Sequence, residues 1–159
     1  MKAVVLREPG PADNLEVQEI ETPKATPGHV VVKVHACAVG YRDIIDRRGG
    51  QGFILTPIVL GHEFAGEIVE VGEGVRRWHV GDRVVNLYHD FCGICEHCLG
   101  GDERRCLNIR EIFGLTVNGG YAEHVLSDER ALEPFPEEIP YDVASTLMSA
   151  TCVGFNNTA

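Results

Sequence analysis

The chain has 159 residues, 44% of them hydrophobic and 24% charged, with a formal net charge of −10. This is the composition of an ordinary globule, with room for one domain and the beginning of another. It argues against a nucleic-acid binder, which needs a basic face, and against a membrane span, because no apolar run approaches the roughly 20 residues a spanning helix requires.

Met1-Lys2-Ala3-Val4-Val5-Leu6 is too short an apolar stretch for a secretory signal and reads as a first strand. Residues 30–36 alternate, with Val30, Val32, Val34 and Ala36 on one face and Lys33 and His35 on the other. Ile58-Val59-Leu60 runs into Gly61, and residues 64–71 resume an extended pattern that stops at Gly72. Val80-Gly81-Asp82-Arg83-Val84-Val85 reads as a turn followed by a strand, and residues 120–126 as another strand. With eighteen glycines and eight prolines between such runs, the pattern is one of many short strands and few helices. Residues 127–140, with Pro134, Pro136 and Pro140, read as a connector in which proline blocks helix. Beyond it Val143, Leu147, Ala150 and Gly154 recur at helical spacing behind Asp142 as a cap, so a helix is expected to begin there. No G-x-G-x-x-G follows any strand, and Gly72-Glu73-Gly74 reads as a β-turn rather than a phosphate cradle.

Residues 91–108 form a lobe of a different kind. Cys92, Cys95, Cys98 and Cys106 stand as C-x2-C-x2-C-x7-C, a spacing that lets four sulfurs surround one ion. Zinc accepts four thiolates with no geometric demand from its d-electrons, and the closed shell leaves no place for substrate, so the site is expected to be structural. An iron–sulfur cluster competes, but the bacterial run closes with C-x3-C-P, whereas here the last gap is seven residues and Leu107 follows. Disulfides or free thiols are the remaining alternatives. Arg104 and Arg105, just before the last ligand, are expected to offset the excess thiolate charge. Four of the six cysteines in a metal-type cluster suit a reducing compartment, so a cytoplasmic address is expected.

Gly61-His62-Glu63-Phe64-Ala65-Gly66, followed by Gly72 and Val75, has the form G-H-E-x2-G-x5-G-x2-V. Together with the opening Met1-Lys2-Ala3-Val4, the Val80-Gly81-Asp82-Arg83-Val84 turn, the cysteine lobe and Gly119-Gly120-Tyr121-Ala122-Glu123, it makes essentially the whole chain resemble the zinc-type alcohol dehydrogenases of the medium-chain dehydrogenase/reductase superfamily. The resemblance implies a mainly β fold with short helices (α+β): a GroES-like, partly open β-barrel forming the catalytic domain over residues 1–140. Residues 141–159 would begin the linking helix toward a Rossmann domain that carries NAD(H) or NADP(H) and is absent from this chain.

It also implies a second, catalytic zinc with an open position. By motif His62 would be a ligand, Glu63 an alternate carboxylate ligand or electrostatic neighbour, and Asp43 the partner that orients the imidazole. The family pattern G-V-C-H-[ST]-D, however, aligns with Ala38-Val39-Gly40-Tyr41-Arg42-Asp43, so Gly40 replaces the first ligand cysteine and Arg42 the proton-relay hydroxyl. The third ligand position falls at Ser149 or Met148. Cys37 and Cys152 are the spare thiols, each three residues away; on a helix Cys152 would reach nearly the same side, whereas on a strand Cys37 would turn into the barrel.

The resulting expectation is an alcohol dehydrogenase-like, NAD(P)-dependent oxidoreductase domain that transfers hydride between a nicotinamide and an alcohol or carbonyl substrate. Its catalytic zinc site is degraded, and the chain alone is expected to bind no nicotinamide and to be inactive. One alternative is a zinc-independent enoyl or acryloyl-type reductase in which Tyr41 and Arg42 donate hydrogen bonds; their other reading is a packed tyrosine and a solvated loop arginine. A different class is a stand-alone GroES-like binding or oligomerisation module. The expected partners are a small alcohol, aldehyde or enoyl substrate, with neither nucleic acid nor membrane. Self-association is expected through the cleft wall and an exposed face of Val143, Leu147 and Ala150.

Overall fold

The computed structural model describes residues 1–50 and 52–151. Its strands, in chain order, are β1 (Lys2–Leu6), β2 (Leu15–Glu19), β3 (His29–Cys37), β4 (Ile58–Val59), β5 (Phe64–Val71), β6 (Arg83–Asn86), β7 (His124–Asp128) and β8 (Leu132–Pro134). They make a three-stranded sheet in the order β2-β1-β4 and a five-stranded sheet in the order β7-β3-β5-β6-β8, with every ladder antiparallel. Residues 119–123 lace the two sheets together. On the smaller sheet Val4 donates to the Tyr121 carbonyl at 2.8 Å and Gly119 to Val59 at 2.8 Å, and on the larger Val34 of β3 donates to the Glu123 carbonyl at 2.9 Å. The result is a curled, partly closed barrel, as the family resemblance implies.

The chemistry of the strands explains the order. β3 lies inside the larger sheet, and its β-branched Val30, Val31 and Val32 are all buried. The simple alternation expected for residues 30–36 does not run to the end, because the β3–β5 register shifts between Val31 and Val32 and again between Val34 and Ala36. The second shift lets Val34 and Cys37, three residues apart, pack on one core cluster with Phe64, Ile68, Val84 and Leu132. Phe64 and Phe113 meet edge-to-face in that core, centroids 5.1 Å apart. Burying each such ring contributes roughly 1.5–3 kcal/mol.

Two strand expectations need correction. The ladder strand near residue 120 is β7, four residues later than expected, because residues 119–123 are occupied with bridging the sheets. Residues 127–140 are not merely a connector: β8 pairs with β6, and Pro134 is tolerated because β8 is an edge, where a missing N–H breaks no ladder bond.

The helices are short: α1 (Tyr41–Arg47), α2 (Glu96–Leu99) in the cysteine lobe, and α3 (Tyr141–Ala144). Nothing in the apolar pattern announces α1. α3 starts behind Pro140, one residue before Asp142, whose carboxylate accepts only the adjacent Val143 N–H at 3.0 Å. The chain then widens into a π-type turn over Leu147–Thr151. The inward face is Ala144, Leu147 and Met148, packed on Ala65, Val85 and Phe135. Val143 stays 49% exposed, so it does not share a face with Leu147 as the expected helix required. Gly154 and Cys152 lie outside the described residues. Among the described residues no helix is long and apolar enough to cross a membrane.

Candidate functional site

The cysteine lobe brings its four expected ligands together. The Sγ atoms of Cys92, Cys95, Cys98 and Cys106 all lie within 4.8 Å of one another. Sulfurs about 2.3 Å from a tetrahedral zinc are about 3.8 Å apart, and the Cys92–Cys98 and Cys95–Cys98 separations are 3.9 and 3.4 Å. Disulfide bonding would require about 2.05 Å. The donor set therefore fits a four-coordinate ion with small adjustment.

The expected role of Arg104 and Arg105 is not seen. Both lie on a single 3-10 turn, Glu103–Arg105, whose side chains project into water, and Arg104 pairs with Asp102 at 3.3 Å. The sulfurs are served by N–H groups instead. The backbone N–H groups of Cys92 and Asn108 each reach Cys106 Sγ at 3.3 Å, and the Asn108 side-chain amide donates to Cys92 Sγ at 3.4 Å. That amide, helped by nearby backbone donors, holds the Cys92 thiol down to about 6, while burial pushes Cys98 up to about 12. Arg130 ties the lobe to the barrel, donating to the Cys92 carbonyl at 2.9 Å while gripping the Asp128 carboxylate at 2.9 and 2.6 Å.

The second constellation lies where β4 leads into β5. Gly61 has φ +96°, and a Cβ there would come within 2.7 Å of the Tyr121 ring and 2.8 Å of Cys37 Sγ, so only glycine serves. His62, Glu63 and Asp43 follow as three buried polar side chains, 4%, 6% and 4% exposed. Asp43 gathers donors from both flanking segments. Its Oδ1 accepts Gly61 N–H at 3.1 Å and His62 Nδ1 at 3.2 Å, and its Oδ2 accepts Gly40 N–H at 2.9 Å. Burial alone would push this carboxyl up, but the bonds from His62 and Gly40 outweigh it and hold the group below the usual carboxylate range. With Nδ1 committed to Asp43, the other ring nitrogen faces Glu63 Oε1 at 3.7 Å.

Position 40 faces the same imidazole: a Cβ on Gly40 would stand 2.9 Å from His62 Cε1 and 3.3 Å from Nε2. The residue present offers no donor atom there. Cys37 packs on the core, and burial pushes its thiol up to about 12, so it is a neutral packing group at physiological pH. Among the described residues the four-cysteine group is the only one in which three or more metal-type donor atoms all lie within 4.8 Å of one another. Cys152 and the side chain of Ser149 lie outside what is described.

Tyr41 and Arg42 reverse their bland expectation, because both stand on α1 rather than on a loop. Tyr41 is 74% exposed, whereas Arg42 is half-buried, with its guanidinium 4.3 Å over the Tyr88 ring and 3.1 Å from Asp46. Tyr88 in turn sets its ring edge-on to His62, centroids 5.7 Å apart. Tyr88, Asp46 and Asn108 escape a sequence reading. Asp46 is i+4 from Arg42, a signal that appears only once α1 is known.

The family profile for the alcohol dehydrogenase GroES-like domain matches residues 26–137. The chain belongs to that family. Its relatives place it in the zinc-type medium-chain dehydrogenase/reductase superfamily. The acryloyl-coenzyme A reductase of Metallosphaera sedula is 43% identical over 106 residues, 67% of this chain and 31% of that protein. An alcohol dehydrogenase of Geobacillus stearothermophilus is 38% identical over 150 residues, 92% of this chain and 43% of that protein. The cobalt- and zinc-bound thermostable alcohol dehydrogenase from Pyrobaculum aerophilum superposes with a TM-score of 0.85 at 32% identity, covering 93% of this chain and 44% of that one. This GroES-like chain thus spans less than half the length of the relatives it matches.

Proposed function

We propose that this chain is the catalytic domain of a nicotinamide-dependent oxidoreductase in which Cys92, Cys95, Cys98 and Cys106 hold a structural zinc, while the niche at His62 acts on substrate without a metal of its own. The observation that carries this reading is Gly40, the position that faces the His62 ring and supplies no ligand atom. One imidazole beside one carboxylate is a poor zinc site. Arg42, two residues further on, would also repel a cation. In the lobe, a closed shell of sulfurs would order the loop and take no part in the reaction.

Hydride exchange with an alcohol at a zinc-type site of this kind uses a Lewis acid to stabilise the alkoxide. Reduction of a C=C bond conjugated to a carbonyl does not. There a bound nicotinamide would supply the hydride for the β-carbon, negative charge would gather on the carbonyl oxygen as an enolate, and the α-carbon would take a proton from solvent. What that oxygen requires is hydrogen-bond donors. Exposed Tyr41 and half-buried Arg42 are the donors proposed for it, with Asp43 fixing the His62 ring and Glu63 bounding its far side. The substrate class is an α,β-unsaturated thioester, a reading supported by the relative named acryloyl-coenzyme A reductase. The nicotinamide, NAD(H) or NADP(H), would be supplied by a nucleotide-binding domain linked through the segment that begins at Tyr141.

An alcohol or aldehyde substrate keeps one specific support: the Asp43–His62 hydrogen bond has the form that orients a metal-ligating imidazole. Metal analysis of the chain, with assays of a polypeptide that carries this domain and its nucleotide-binding partner domain, separates the two. The expected result is one zinc per chain, with nicotinamide oxidised in the presence of an acryloyl- or crotonyl-type thioester. A second stoichiometric zinc, lost on replacing His62 and accompanied by alcohol oxidation, would overturn the metal-free niche.

A further inference from the structure

We propose that Asn108 is the positioning residue of the cysteine site, fixing the Cys92 sulfur beside Cys106 and strengthening the lobe's hold on the ion. The inference rests on the zinc reading of the lobe. Four thiolates around a divalent ion carry two excess negative charges, and something must offset them. The arginines nearest in sequence do not touch the sulfurs, since Arg104 turns to Asp102. Asn108 does, twice: its backbone N–H reaches Cys106 Sγ at 3.3 Å and its side-chain amide reaches Cys92 Sγ at 3.4 Å. It stands two residues beyond the last ligand and bridges the two ends of the ligand run, which are otherwise joined by the Cys92 N–H on Cys106 Sγ at 3.3 Å.

The arrangement divides the lobe into unequal halves. Cys92 is fixed at three points by protein groups alone: its sulfur by Asn108, its N–H by Cys106 and its carbonyl by Arg130 at 2.9 Å. Cys95, by contrast, has its contacts with Cys98 and with backbone at the lobe's outer edge. Cys92 and Cys106 therefore form the half held by the protein, with the Cys95–Cys98 arm set against it through Cys98, whose Sγ lies 3.9 Å from Cys92 Sγ. The Asn108 side chain supplies the only side-chain amide on any of the four sulfurs among the described residues, so its removal should be felt at the metal and not in the fold.

Because Asn108 is exposed, replacing it should leave the midpoint of unfolding essentially unchanged. Loss of an outer-shell partner typically weakens metal binding about 10- to 100-fold, and an exposed donor competing with water belongs at the lower end. The experiment uses the chain itself, loaded with zinc or with Co²⁺ as a spectroscopic probe, and compares wild type with Asn108→Ala and Asn108→Asp. Competition with a chromogenic chelator should show about tenfold weaker zinc binding in the alanine variant and a larger loss in the aspartate variant, which is the same shape but sets an acceptor against a thiolate. The sulfur-to-cobalt charge-transfer band should move to lower energy in both, because losing an N–H···S bond raises the thiolate electron pair. Zinc binding and a cobalt band unchanged in both variants would overturn the role of Asn108 and leave the zinc reading standing. A wild-type chain that takes up neither ion would overturn both.

Discussion

The cysteine lobe and the His62 niche are two places where side chains able to bind a metal converge, and they are built in opposite ways. The lobe is a run of turns at the surface, with four like donors, N–H groups aimed at the sulfurs, and exposed apolar side chains such as Ile94, Leu99 and Leu107 around it. None of its apolar residues joins a core cluster, so its order is expected to depend on what the sulfurs hold. The niche is the reverse. Its polar groups are buried, anchored at Gly61, Gly40 and Asp43 by the barrel itself, and short of ligand atoms. A site made of like donors on a surface loop leans on what they bind, whereas a site built into the barrel is held by the fold whatever its chemistry.

The sharpest way to break this contrast is Cys95→Ser. It should take the lobe from about one zinc per chain to almost none and expose amides of residues 91–108 to hydrogen exchange, while the barrel still unfolds cooperatively. Loss of cooperative unfolding would show that the lobe supports the barrel after all.

Next in size is Asp43→Ala, which strands the donors of Gly40, Gly61 and His62 in a buried place. A cost of about 3 kcal/mol or more in denaturant unfolding is expected, because each buried donor left unpaired costs about 1–3 kcal/mol. The same carboxylate sets a pH dependence. Its folded pKa is depressed, so its contribution is present above the unfolded value of about 3.9 and is lost as pH falls through the lower folded value. Acid unfolding below about pH 4 should therefore be blunted in Asp43→Ala relative to wild type.

Gly40→Cys tests whether the niche lacks only a donor. The new Cβ would crowd His62 Cε1 at 2.9 Å, an overpacking cost of about 1–3 kcal/mol. Metal analysis should nevertheless rise above one zinc per chain. A ratio still at one would show that His62, Glu63 and a thiol do not suffice.

The smallest effect lies on the barrel rim, at His29. Its Nδ1 faces the Pro27 carbonyl at 3.0 Å and its Nε2 the Glu111 carboxylate at 2.8 Å, so both nitrogens meet acceptors and the ring is best satisfied as a cation. Burial opposes the charge, but these partners prevail and the pKa is raised. That stabilisation is complete below the unfolded value of about 6.5 and disappears as pH rises through the folded one. Partly exposed and screened, it should be worth about 1 kcal/mol or less. Comparing His29→Gln with wild type at pH 6 and pH 9 should show a gap that closes at the higher pH.

The two sites were also unequally visible in the amino-acid sequence. Four cysteines at fixed spacing announce a cluster because the ligands are near neighbours and a short loop has few ways to bring them together. The Asp43–His62 contact spans 19 residues, and only the family motif suggested it. Strand β5 could be read to its boundaries because apolar residues end at Gly72, whereas α1 could not, since its stability comes from Asp43 at the helix start and the Arg42–Asp46 pair rather than from an apolar stripe.

By itself, then, the sequence determined the local matters: the strand-rich character, the turns, the metal-type lobe, and the missing thiol at position 40. Only the tertiary structure decided that the β3 register shift sets Val34 on the same core as Cys37, that Arg42 lies on Tyr88 while Tyr41 faces water, and that Asn108 rather than an arginine serves the sulfurs. Spacing along the chain fixes what neighbours can do together. The direction of a side chain depends on register shifts and on packing partners from distant segments, and these exist only once the sheets have closed.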